Sequence, residues 1–120
     1  MAKMIWFTGA ETEDKALPLS DVMPGVKSGR LYHDEKTGVA VAQSSIAPNG
    51  VIPGHKGAGS GLFQIVSGSG TIYVETEEGT VVNQVTVNAG DVLFYHASDY
   101  KHRYEAGSHG LTYTGIGFPR

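Results

Sequence analysis

From residue 31 onward, short runs of apolar and β-branched residues alternate with compact turn sequences. Leu31, Tyr32 and His33 lead into Asp34-Glu35-Lys36-Thr37-Gly38, and residues 39–47 then read as extended until Pro48-Asn49-Gly50. Two further runs, 62–66 and 71–76, are parted by Ser67-Gly68-Ser69-Gly70. After Glu77-Glu78-Gly79 comes 80–87, where the two-residue period of a strand sets Val81, Asn83, Val85 and Val87 on one face. Asn88-Ala89-Gly90-Asp91 turns the chain into 92–96, and the last two runs, 101–105 and 111–118, flank Gly107-Ser108-His109-Gly110. Strand-like runs at roughly 8–12-residue spacing predict an all-β sandwich or barrel. Residues 1–30 contain Pro18, Pro24, Gly25 and Gly29 and predict an irregular lead-in. That lead-in is expected to hold one outer strand at 5–8 and at most a turn of helix at 11–17, stopped by Pro18. The chain thus reads as one domain, with a lead-in at 1–30 and a barrel at 31–118.

Composition supports this reading. Glycine occurs 17 times in 120 residues, roughly twice its usual share, which disfavours a helical bundle. Cysteine is absent, which excludes disulfides, thiolate nucleophiles and thiolate metal sites. Lys plus Arg number 9 against 12 Asp plus Glu, a formal charge of −3. Nucleic acids and anionic membranes favour a clustered basic face, so neither is an expected partner. The apolar run at 4–7 is shorter than that of a secretion signal, and no segment approaches the roughly 20 apolar residues of a membrane span. A cytoplasmic location is expected.

Two stretches carry candidate chemistry. The first runs from Gly50 through His55, Gly57 and Gly61 to Gly68, and resembles the first motif of the cupins: glycine, His-x-His, a glutamate, six residues, glycine. The second, Gly90-Asp91, an apolar strand, a turn and then His102, resembles the second cupin motif. The resemblance implies a small RmlC-like jelly roll, that is, a single cupin-type double-stranded β-helix barrel. It also implies a ligand pocket inside that barrel and, commonly, a homodimer.

Cupin metal sites use both histidines and the glutamate of the first motif plus the histidine of the second. Position by position, His55 and His102 match the first and last of these ligands, while Gly57 and Gly61 stand at the other two. The second motif departs as well: His96 replaces a usual proline, Ser98 a glycine, and one extra residue precedes His102. A catalytic metal normally takes at least three protein ligands, so no cofactor is expected. If a divalent metal were held, His55, His102 and His96 are the candidate ligands. Gln64 would join them only if a bulge near Gly61 turned it inward.

Imidazoles exchange protons near neutral pH, so a metal-free pair can serve as general acid and base. The candidate catalytic residues are His55, His102, Tyr104 and His96, with alternation setting Tyr100 and Tyr104 on the face of His102. His33 and His109 lie in polar turn regions and read as surface groups, as do Lys101 and Arg103. The leading expectation is a barrel that binds a small polar organic ligand and isomerises, epimerises or dehydrates it by proton transfer. The alternatives are a metal-dependent dioxygenase or lyase with atypical ligands, and a non-enzymatic binding or sensing module. Self-association is the expected partnership, because a lead-in strand can cover a neighbouring barrel's open edge.

Overall fold

The alternating runs become eight antiparallel strands in a computed structural model that describes residues 20–56, 59–96 and 99–119. These are β1 (Ser20–Met23), β2 (Val26–His33), β3 (Ala40–Ile46), β4 (Val51–His55), β5 (Gly59–Glu75), β6 (Val81–Asn88), β7 (Val92–Tyr95) and β8 (Lys101–Pro119). The strand expected at 5–8 and the helical turn at 11–17 lie outside the described residues. Part of the expected lead-in belongs to the barrel itself. Pro24 and Gly25 form a tight turn between β1 and β2, which pair through Ser20–Ser28 and Asp21–Lys27. The barrel therefore starts before residue 31.

Four expected runs prove to be two long strands. The glycines at 67–70 and 107–110 bend the chain without reversing it. Gly68 pairs with Leu111, and both Gly68 and Gly110 adopt a positive φ of 79°. Side-chain-bearing residues rarely adopt that conformation, and a Cβ on Gly68 would run into the Gly110 carbonyl. The bend is sharp. Tyr104 and Tyr113 are nine residues apart on β8, about 30 Å in a straight strand, yet their ring centroids lie 5.8 Å apart.

Bending folds one continuous sheet into two facing layers. The first layer runs β1-β2-β3, the later part of β8, the early part of β5, then β7. The second runs β4, the early part of β8, the later part of β5, then β6. This is a jelly-roll barrel, as the sequence predicts. Near the bends it is filled: Val26, Ile46, Ile65 and Leu111 are at most 2% exposed, and burying each such side chain contributes about 1.5–3 kcal/mol. At the opposite end the inner faces carry Ala40, Gly61 and Gly117 from the first layer and His55 and His102 from the second. Small residues there leave space. Among the described residues no helix is long and apolar enough to cross a membrane.

Candidate functional site

The open end holds a cavity of about 590 Å³. Its floor is aromatic: Phe63 lies 4.9 Å from Tyr113, 5.8 Å from Tyr104 and 5.2 Å from Tyr95 between ring centroids. Small side chains on β3 and β8, among them Ala42, Ser44 and Gly117, line the same layer beside it. His55 closes one side, with its ring 5.9 Å from Tyr104. No Asp, Glu, Lys or Arg is among the described residues lining this space.

His55 ends β4, and its Nδ1 lies 3.1 Å from the Pro53 carbonyl oxygen. A carbonyl only accepts, so Nδ1 carries the hydrogen and the neutral ring keeps Nε2 as an open acceptor. Tyr104 is 3% exposed. Burial, helped by neighbouring Tyr113 and Tyr95, raises its phenol far above the ordinary range. Tyr113 is likewise pushed up to about 12, mainly by burial, although a hydrogen bond with Ser44 works the other way. Burial raises Tyr95 too. All three tyrosines stay protonated and can donate.

His102 pairs with His55 in the β4–β8 register and with Val74 across β5. It is 5% exposed, and its imidazole faces a second, smaller opening rather than the main cavity. Burial, reinforced by the nearby His55, holds its pKa below the usual 6.5. The structure thus brings His55 and Tyr104 into one cavity and sets His102 behind a partition. His96 is exposed on the rim of the smaller opening, edge-on to Phe94 at 5.0 Å. Gln64 faces outward, because the β5 bulge falls between Ile65 and Ser67, too late to turn it in. Tyr100 precedes β8 and is exposed, so it does not extend the His102 wall.

The partition is Tyr95, which sequence reasoning missed. It pairs with Gly61, its ring sits 4.5 Å from that of His102, and it lines both openings. A Cβ on Gly61 would fall 2.6–2.8 Å from the Tyr95 ring. The glutamate position of the first motif is thus filled in space by a phenol. The available signal was alternation: within 92–96, Leu93 and Tyr95 share a face, and His96 does not.

These residues do not fit a metal centre. Gly57 and Gly61 offer no side-chain donor, and Tyr95 stands against His102. Among the described residues no group of three His, Cys, Asp or Glu side chains could hold an ion.

Comparison of whole structures identifies the fold. KdgF from a Halomonas species superposes with a TM-score of 0.73 over 94% of this chain and 96% of its own, at 16% identity. An RmlC-like cupin from Shewanella frigidimarina does so at 0.67 over 98% and 93%, with 17% identity. An oxalate decarboxylase variant from Bacillus subtilis matches at 0.67 and 16% identity, over 79% of this chain and 26% of its own. No protein-family model and no curated protein sequence matches the chain. The chain has the fold of a small single-domain cupin.

Proposed function

We propose that the protein binds a small, uncharged polar organic molecule in the 590 Å³ cavity and moves a proton on it without a metal. One observation carries this reading: a cavity roomy enough for such a ligand is lined by aromatic and aliphatic side chains, two serines and one histidine, with no charged side chain among its described residues. A carboxylate ligand would be buried there without a cation, which is costly. A polyhydroxylated ring suits the site better, its C–H faces lying on Phe63 and Tyr113 and its hydroxyls meeting Tyr104, Ser28 and Ser44. In this reading Nε2 of His55 accepts a proton and the Tyr104 hydroxyl donates one, the pairing that isomerisation, epimerisation or dehydration needs.

The test is a methyl-NMR titration with neutral monosaccharides and cyclitols, each against a carboxylic acid of the same carbon skeleton. Neutral compounds should shift the Met23 and Ala42 methyls, and the acids should not. Preferred binding of the acids overturns the reading. Gly117→Val should abolish the shifts while keeping the fold, because a Cβ there meets nothing within 4 Å and enters the cavity. Proton transfer is read as deuterium uptake into bound ligand in heavy water, lost in His55→Gln and Tyr104→Phe with binding retained. Binding without uptake in the wild type would leave a binding module and no enzyme.

The protein is further proposed to act as a homodimer, supported by the outer surface of the first layer. There Val92 and Phe94 are 62% and 47% exposed on neighbouring outward positions of β7. Light scattering should give twice the chain mass, and Phe94→Lys should reduce it to one.

A further inference from the structure

The smaller opening lies between β6 and β7, the free edges of the two layers. Its volume is about 330 Å³, at the lower end of the range for small-molecule pockets. Val74 and Val85 supply one wall, Leu93 and Tyr95 the other, and Asn83 stands at the rim. Val85 is an inward-facing position, paired with Ile72, yet it is 40% exposed. Apolar surface at an inward position is normally covered.

At the base sits His102, 95% removed from solvent, with its ring against Tyr95. Its imidazole makes no hydrogen bond to any described residue and lines the cleft, so its nitrogens are open to a ligand there. A neutral imidazole keeps one nitrogen as an acceptor. Tyr95 separates this space from the main cavity. The two spaces differ in chemistry: the main cavity carries two further phenols, two serines and several glycines, whereas the cleft has aliphatic walls above the His102 imidazole, with Asn83, Gln84 and His96 also among its lining residues.

We infer that the β6–β7 cleft is a second binding site, which takes a small planar, largely apolar molecule carrying a single N–H or O–H group directed at His102. This site stands apart from the polyol reading of the main cavity and does not depend on it. The chemistry matches an indole or a phenol: a flat apolar body lies between the aliphatic walls, and its one donor meets the imidazole nitrogen that faces the cleft.

Indole is the probe. Titrated into methyl-labelled protein, it should shift the Val74, Val85 and Leu93 methyls saturably at or below about 1 mM and leave Met23 and Ala42 in place. 1-Methylindole, which lacks the donor, should bind about ten-fold more weakly. His102→Phe keeps a ring of similar size and should erase that preference. Val85→Trp fills the cleft from an edge-strand position and should block indole, whereas Gly117→Val closes only the main cavity and should leave indole affinity unchanged. That pair separates failure of this site from failure of the first. Shifts confined to Met23 and Ala42, the absence of saturable shifts, or equal binding of indole and 1-methylindole would each overturn the inference.

Discussion

The two layers of the barrel are built from the same two long strands, yet they divide the work. The first layer supplies space. Its inner face carries Ala40, Ala42, Ser44, Gly115 and Gly117 beside the aromatic floor. The second layer supplies the imidazoles, His55 and His102, together with Tyr104 and the aliphatic wall of Ile72 and Val74. Their outer faces differ as well. On the second, Arg103 lies 4.0 Å above the Tyr73 ring, bonds Glu75 Oε2 at 3.2 Å and reaches Glu105. On the first, Val92 and Phe94 are exposed without such a lattice. The titratable groups that face inward on the second layer lie where the first layer's small residues leave room opposite them. The first layer reaches the His102 imidazole through Tyr95.

Restoring the side chain that Gly61 lacks is the strongest way to break this arrangement. Gly61→Glu drives a Cβ into the Tyr95 ring and buries a carboxylate, and should cost about 3 kcal/mol or more in urea denaturation. Tyr95→Ala on its own loses packing against Phe63 and His102. In the double variant the alanine makes room for the glutamate, so its loss should fall short of the sum of the two by at least about 1 kcal/mol. Strict additivity would mean that Tyr95 does not occupy the glutamate position.

A second comparison sets one outer face against the other. Arg103→Ala leaves Glu75, 8% exposed, without its cation, and should destabilise the fold by about 2 kcal/mol. Val92→Thr, at a position 62% exposed, should change stability by no more than about 0.5 kcal/mol. Equal losses at the two positions would remove the distinction between a satisfied charged face and an unpartnered apolar one.

What the sequence made legible was local. The β character, the inward face of 61, 63 and 65, the outward Gln64 and the surface placement of Arg103 all follow from two-residue alternation. Non-local pairing was hidden. Ser67-Gly68-Ser69-Gly70 has the composition of a turn, and only its pairing with Leu111 and Ala106 turns it into a bend within one strand. Pro24-Gly25 looked like a break in an irregular segment because β1 is only four residues long and needs β2 beside it. Tyr95 was missed for the same reason. That Gly61 lacks a side chain is plain from the sequence, but that Tyr95 takes its place depends on the β5–β7 register. His55 and His102 match motif positions, yet their separation into two spaces follows from that one phenol.

The smallest effect tests the electrostatic side of the comparison. His102 has its pKa lowered below 6.5 in the fold, by burial first and by His55 second. The unfolded chain therefore takes up this proton at a higher pH than the folded one does. Stability from this group is complete above pH 6.5 and falls as pH drops from there toward the folded value, with a slope of at most about 1.4 kcal/mol per pH unit. Below the folded value it changes no further. Carboxylates and the other histidines titrate in the same range, so the measurement is a difference: urea stability from pH 7.5 to 5 for the wild type minus that for His102→Gln. The wild type should lose more as pH falls. Tyr95→Ala opens the space beside His102 to water, so the wild-type excess should shrink in that background. A difference that stays flat with pH would show that His102 is solvated in the folded barrel and that Tyr95 does not seal it.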